Sequence, residues 1–254
     1  MDKANGTGVN ALFRAFRIVE ALNELGGAGV SAIAREVDLP KSTVHNHLTT
    51  LEQAGYVVAE DGTYRPGLKF LYIGEAVRNE HTLYSVAQSQ VDKLAATTGE
   101  ISGLMVEEHG EGVFIHRGRG SEAAHIDTQI GDRIPLHCTA LGKAILAFLP
   151  PEKRDRSIDR HGLPGFTPQT ITDREQLYSE LETVREQQVA FDDEERLPGL
   201  RSTAAPIFDG EQSVIGAISV AGPTHRMQGE RFRSELPEQV LGFANVIELN
   251  LQHS

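Results

Sequence analysis

Leu39-Pro40-Lys41-Ser42-Thr43-Val44-His45-Asn46-His47-Leu48-Thr49-Thr50-Leu51-Glu52-Gln53-Ala54-Gly55 is the stretch on which the fold turns. Val44, Leu48 and Leu51 stand at i, i+4 and i+7, so a helix opened by Pro40 buries one narrow apolar stripe and leaves the rest of its circumference outside. That outer surface carries Ser42, Thr43, His45, Asn46, Thr49 and Thr50, short hydrogen-bonding side chains able to lie against phosphates and base edges. Upstream, Ser31 is the expected N-cap of a shorter helix with Ile33 and Val37 inward, and Asp38-Leu39-Pro40 makes the turn. Downstream, Tyr56 to Ala59 is a β-type run, Asp61-Gly62 is a hairpin signal, and Thr63-Tyr64-Arg65 returns. Helix, helix, hairpin reads as a winged helix-turn-helix. The alternative is a small bundle whose polar faces are simply solvated, and the hairpin weighs against it.

If this unit binds DNA, Arg35, Lys41, Ser42, Thr43, His45, Asn46 and Thr49 are the expected contacts. Lys41 and the hydroxyls suit phosphates, Asn46 suits a base edge, and Tyr64 and Arg65 of the wing reach the flanking backbone. The preceding helix is expected to start at an Asn10 cap, to turn Leu12, Phe16, Val19 and Leu22 inward, and to stop at Gly26-Gly27. Arg14 and Arg17 project from it and could meet phosphates.

Net charge is −12, the wrong sign for a generic nucleic-acid binder. The acid is unevenly placed: residues 1–70 hold 7 Lys/Arg against 8 Asp/Glu, and the remainder 17 against 28. Arginine outnumbers lysine 18 to 6. Acidic excess with few lysines is the composition expected of a protein, such as one from a halophilic archaeon, that works in concentrated salt, where the screening length shrinks to about 3 Å at 1 M. The longest apolar run, Ala144 to Leu149, is too short to cross a bilayer, and no secretory leader is visible, which predicts a cytoplasmic protein. Cys138 stands alone, so no internal disulfide can form.

Residues 68–80 read as a linker helix with Leu71, Ala76 and Val77 apolar, and Leu83 to Thr97 as a second helix stopped by Gly99. The expected division is 1–67 for DNA binding, 68–80 for the linker and 81–254 for a second domain. In that domain Ile101 to Val106, Val113 to His116, Ala123 to Thr128, Ile134 to Leu136, Ser202 to Phe208 and Val214 to Ala221 are β-type. Helices are expected over Thr139 to Leu149, ended by Pro150-Pro151, after the capping box opening at Thr172, with Leu177, Leu181 and Val184 inward, and from Pro237, with Val240, Ala244 and Ile247 aligned. This is an α+β pattern.

Three stretches carry polar residues that periodicity leaves unexplained: Pro135 to Ala140, a strand running into a helix N-terminus; Phe191 to Ser202, with the acidic run Asp192 to Glu195; and Ile218 to Pro223, with Ser219 alone among apolar neighbours. Together they would suit a small oxygen-rich metabolite. The bland alternatives are a solvated acidic loop and a serine satisfying backbone. His137 and Cys138 lack an orienting partner for nucleophilic catalysis, and His137, Cys138 and Asp192 have no defined metal-ligand spacing, so neither an enzyme nor a metal site is predicted and no cofactor is implied.

Leu39 to His45, Pro135 to Ala144, Phe191 to Glu195 with Gly199 to Ser202, and Ala204 to Asp209 with Ala217 to Pro223, in this order and spacing, resemble the isocitrate lyase regulator (IclR) family of transcription factors along nearly the whole chain. The resemblance implies a winged helix-turn-helix, a linker helix and a GAF-like effector-binding domain. It implies homodimers or dimers of dimers on palindromic double-stranded operators, controlled by a small metabolite such as an organic acid, a sugar or an aromatic breakdown product. Carried over by position, the effector contacts fall on Ala140, Leu141, Asp192, Leu200, Ser202, Ser219 and Ala221. Ala221 and Leu141 stand where relatives carry a polar and a smaller residue, which argues against a compact 2-oxo acid. Asn46 and His47 stand where the family usually has Arg and Leu, and Asn suits adenine, so a different operator sequence is expected.

Overall fold

The computed structural model describes residues 8–126 and 128–253, and the chain divides into two compact units between Arg78 and Asn79. Among the described residues no helix is long and apolar enough to cross a membrane.

The first unit is α1 (Asn10–Glu24), α2 (Val30–Glu36), α3 (Lys41–Gln53), the hairpin β1 (Val57–Glu60) and β2 (Thr63–Pro66), and then α4 (Lys69–Glu80), which runs through the division. Ile18, Leu22, Ile33, Val37, Val44, Leu48 and Val57 interlock as its core. The turn residues Asp61 and Gly62 both take positive φ, at 50° and 76°, the geometry that keeps a two-residue hairpin in step with strand twist. The wing is pinned to the body by Ala28 and Tyr64, which exchange backbone hydrogen bonds of 2.9 Å in both directions. Gly27, at φ 101°, permits this approach, since a Cβ there would lie 3.3 Å from the Tyr64 carbonyl. Lys69 donates to the Ala54 carbonyl at 2.9 Å, closing the end of α3.

Several local expectations fail here. The caps are displaced: α1 starts at Asn10 itself after Val9, and α2 starts at Val30 after Gly29, so neither Asn10 nor Ser31 caps. The inward face of α1 is also rotated. Ile18, Ala21 and Leu22 are buried, whereas Leu12 and Phe16 are 58% and 60% exposed. The helix carries two apolar stripes, and its own core needs only one.

The second unit is α5 (Thr82–Thr98), β3 (Ile101–Glu108), β4 (Glu111–Arg119), β5 (Arg133–Pro135), a 3₁₀ turn over Leu136–Cys138, α6 (Ala140–Phe148), α7 (Pro151–His161), α8 (Arg174–Gln187), β6 (Ala190–Asp193), β7 (Leu200–Phe208), β8 (Val214–Pro223), a π-helical turn over Arg231–Glu235 and α9 (Leu236–Leu251). The six strands form one antiparallel sheet in the order β5-β4-β3-β8-β7-β6. Strand alternation sends Leu104, Val106, Ile218, Val220, Ala205 and Ile207 to a layer with α5 and α9. The opposite parity, Met105, Ala217, Ala204 and Ala190, packs with α6 and α8. Expected inward residues of α8 and α9, among them Leu181 and Val240, are buried there. The α+β class and the winged helix-turn-helix therefore hold.

Corrections fall in the connections. Residues 123–126 and 128 form no strand, and residue 127 of that expected run lies outside the described residues. α6 already ends at Phe148, and Pro151 begins α7, a helix the sequence reading lacked, with Glu152 in its first turn and Arg160 and His161 in its last. Asp173 rather than Thr172 caps α8, accepting from the Gln176 amide at 2.9 Å. Ala190–Asp193 is an edge strand, so the acidic run is only partly solvated: Asp192 and Glu195 are buried, whereas Asp193 is exposed.

Candidate functional sites: an outward helix face and an inward cavity

On α3, Val44 and Leu48 anchor the helix, and the residues between them in phase point away. Lys41, Ser42, His45 and Asn46 are exposed, while Thr43 and Thr49 are half-buried. The hydroxyls of Thr49 and Thr50 donate back to the His45 and Asn46 carbonyls at 3.0 and 2.9 Å, leaving their oxygens able to accept. Arg35 is exposed on α2, and its Nε reaches the Ser31 carbonyl at 3.4 Å. Tyr64 packs against the core, whereas Arg65 is at the surface in an ion pair of 2.9 Å with Glu60. Arg17 is not free: it donates to the Val37 carbonyl at 2.7 Å and closes the end of α2. The face is thus polar and nearly uncharged, with Lys41 its one fixed cation.

In the second unit the sheet residues fall into cross-strand rows. Ile101, Ala221, Ser202 and Asp192 are register partners across β3, β8, β7 and β6, and Arg117, Gly103, Ser219 and Ala204 form the next row from β4 to β7. Over this floor of small side chains lies a cavity of about 60 Å³, opening through shared walls at Ile126, Thr128, Arg196, Leu197 and Leu200 into a cleft of about 480 Å³. Leu141, Asp192, Leu200, Ser202, Ser219 and Ala221 all line the inner cavity. Ala140 does not: it is wholly buried in the apolar layer beneath. Phe114 and Leu141 crowd the floor from above, since a Cβ on Gly103 would lie 3.1 Å from Phe114 Cε1 and 3.3 Å from Leu141 Cδ1.

The strongest electrostatic feature is around Asp192. Its Oδ1 accepts from the Glu195 amide at 2.8 Å, and its Oδ2 lies 3.5 Å from Ser202 Oγ. Burial, together with the neighbouring Glu195 charge, raises its carboxyl to about 7. Lys143, 1% exposed, donates to Glu195 Oε1 at 2.5 Å and to Glu180 at 3.1 Å. Glu195 is itself pushed upward by burial against the pull of Lys143, and its Oε2 has no partner. At the start of α6, Thr139 accepts from the Gly142 amide at 3.0 Å. A Cβ on Gly142 would sit 2.0 Å from the Leu136 carbonyl oxygen, so only glycine lets this helix pass the 3₁₀ turn.

His137 and Cys138 lie in that turn rather than on a strand, and both are buried. The His137 Nε2–H donates to the Pro164 carbonyl at 3.1 Å, and burial holds the imidazole below its ordinary value. Burial pushes the Cys138 thiol up to about 12, so it stays protonated and unreactive.

Sequence reasoning missed Arg117 and Arg196, which both line the cavity. The register shifts between Leu104 and Met105, so Phe114 pairs with Met105 and Arg117 with Gly103, and two residues three apart share one face. Simple alternation along β4 could not reveal this. Arg196 follows the acidic run and reads as surface. In the structure it is half-buried, stacked 5.1 Å from the Phe166 ring, with a buried Nε that has no hydrogen-bond partner.

A winged helix-turn-helix with an outward polar helix, followed by a domain with a largely apolar cavity carrying a few convergent polar groups, defines the class of ligand-responsive DNA-binding regulators. Comparison with known proteins places it more narrowly. Residues 11–61 match the IclR helix-turn-helix domain, and residues 75–249 match the bacterial transcriptional regulator IclR C-terminal domain. The chain belongs to the IclR family and is a DNA-binding transcriptional regulator with a C-terminal effector domain. It is 35% identical to the probable HTH-type transcriptional regulator ArcR of Halobacterium salinarum, over 96% of this chain and 94% of that one. Among solved structures it is similar to Thermotoga maritima IclR, with 29% identity, TM-score 0.80, and 95% and 98% of the two chains covered. It is also similar to an IclR homolog from Microbacterium hydrocarbonoxydans complexed with 4-hydroxybenzoate, with 26% identity, TM-score 0.82, and 96% and 100% covered.

Proposed function

We propose that this chain acts as a homodimer, or a dimer of dimers, on a palindromic operator, and that a small oxygen-rich metabolite, a sugar, sugar acid or organic acid, sets its operator affinity from the inner cavity. The observation that carries the reading is the exposed face of α3, where Ser42, His45 and Asn46 offer hydrogen bonds over the first two turns and the exposed acid Glu52 comes only in the last turn. Lys41, Ser42 and Thr43 position the helix on phosphates, and Asn46 reads adenine, with Arg35 and Arg65 on the flanking backbone and Tyr64 holding the wing. Two solvent-facing apolar stripes support pairing with a second copy: Val9, Leu12, Phe13 and Phe16 on α1, and Leu68, Leu71, Tyr72 and Val77 around α4.

The cavity residues Leu141, Asp192, Leu200, Ser202, Ser219 and Ala221 are the proposed effector contacts, and Ala140 supports them through the start of α6. Effector control needs unequal affinity for two operator-binding arrangements, typically 1–3 kcal/mol. The low lysine count and acidic surplus support action in a salty cytoplasm, where a hydrogen-bonding face loses less than a basic one. The test is a fluorescence anisotropy titration of the full chain against promoter fragments of its own genome, in molar potassium chloride. A sequence-specific complex supports the reading, and equal affinity for every duplex removes it.

A further inference from the structure

Two guanidinium groups line one cavity, neither with a counter-ion among the described residues, and they decide what kind of molecule fits. Arg117 comes from the β4 side of the sheet and Arg196 from the loop after β6. Neither forms an ion pair or a side-chain hydrogen bond among the described residues, in contrast to Arg201, held by Asp193 at 2.5 Å, and Arg226, held by Glu100 through two bonds of 2.7 Å. The Nε of Arg196 is buried with nothing to donate to. Unpaired, partly desolvated guanidinium is costly unless a ligand supplies the anion, and its planar donor fork matches a carboxylate.

The described acids nearby do not fill that role. Asp192 sits deep, committed to the Glu195 amide at 2.8 Å. Asp132, on the outer cleft, accepts from the Gln129 amide at 2.6 Å. For Arg117, burial and the like charge of Arg119 outweigh the attraction of Asp132 and lower its affinity for its proton. The deep wall offers different chemistry. Asp192, Ser202 and Ser219 present acceptors and hydroxyls, and Ser219 Oγ makes no hydrogen bond among the described residues, although the residue is only 4% exposed. A second carboxylate placed there would meet Asp192, whereas alcohol groups would meet partners of both kinds.

Size adds a constraint. The inner space of about 60 Å³ takes only a few atoms, so a ligand must extend past Leu197 and Leu200 into the wider cleft. Among the described residues Phe114 is the only aromatic one on the inner wall, with no second ring there to clasp a flat ligand.

We infer that the effector is a polyhydroxylated monocarboxylate, a sugar acid in chemical class, bound with its hydroxyls inward on Asp192, Ser202 and Ser219 and its carboxylate outward on Arg117 and Arg196. The inference rests on the effector-site reading and narrows it. The two arginines are the specificity-determining residues, and a neutral sugar is rejected because it would leave both cations desolvated and unpaired.

The experiment is a calorimetric and thermal-shift comparison on the full chain in molar potassium chloride. The probes are five- and six-carbon aldonates, the matching alditols, and 4-hydroxybenzoate, tested against wild type, Arg117→Gln, Arg196→Gln, the double variant and Ser219→Leu. An aldonate should bind wild type, each single substitution should weaken it about 10- to 100-fold, the typical loss of a hydrogen bond to a charged group, and the alditols should not bind. Alditol binding equal to that of the aldonate, or unchanged aldonate binding by the double variant, overturns the inference. So does 4-hydroxybenzoate or an alditol as the sole ligand lost in Ser219→Leu, an outcome that leaves the effector-site reading intact. No probe binding in a Ser219-dependent way overturns the sugar-acid class, while failure of the broader reading would show separately as an operator affinity that Ser219→Leu and every ligand leave unmoved.

Discussion

α3 turns its polar side chains outward and almost without charge, whereas beside the cavity α6, β6 and the loop after it turn Lys143, Asp192 and Glu195 inward, each less than a tenth exposed. Both surfaces are built to recognise, by opposite means. The helix face works in contact with solvent ions, where charge is screened, so hydrogen-bond geometry carries the discrimination. The cavity is withdrawn from those ions, so one charge there counts for much more, both for ligand choice and as a liability to folding.

The largest effect tests the liability. Lys143→Met leaves Glu195 and Glu180 facing a buried apolar group, and should cost about 3–5 kcal/mol of stability in urea unfolding, the usual penalty for orphaning a buried charge. Adding Glu195→Gln should restore much of it; if the double variant is no better, the pair is not the source of the loss. On the outward side, Asn46→Ala should cost about 1–3 kcal/mol at one operator position and little elsewhere. An even loss across sequences would make Asn46 a phosphate contact.

A graded effect, spread over several pH units, separates the two regions by pH. Because burial raises the Asp192 carboxyl to about 7, the folded protein keeps a proton that the unfolded chain releases near pH 4. Its contribution is therefore fully present below pH 4, declines as pH rises, and is gone above about 7, with a slope of up to ~1.4 kcal/mol per pH unit. Asp192→Asn should remove that slope from the unfolding free energy, and an unchanged slope would assign it to the other raised carboxyls, Glu195 and the half-buried Glu248. Smallest of all, Arg65→Ala on the wing breaks an exposed ion pair and should change stability by less than about 1 kcal/mol. A larger loss would mean that the Arg65–Glu60 pair itself holds the wing.

The same contrast explains what could be read from sequence. Outward-facing elements obey local rules: the Val44–Leu48 stripe, the Asp61-Gly62 turn and the polar residues between them are legible because periodicity and turn chemistry are properties of neighbours in the chain. The cavity is assembled from six strands, two loops and the start of α6. Small residues such as Ser202, Ser219 and Ala221 were singled out because they match the family pattern or interrupt an apolar run, but Arg117 and Arg196 were missed, because a long cation on an edge-side strand or after an acidic run looks solvated until register places it. α1 failed for a related reason. Leu12-Phe16 and Ile18-Leu22 are equally good stripes, and only packing decides which one its own core takes.

The most direct measurement of the central claim is the ratio of affinities for an operator duplex from its own genome and a scrambled duplex of equal length, taken in molar potassium chloride for wild type and for Asn46→Ala. A clear wild-type preference that falls about 5- to 150-fold in Asn46→Ala is the predicted result, the equivalent of one lost base contact. A wild-type ratio near one, or a preference that the substitution leaves untouched, would contradict it.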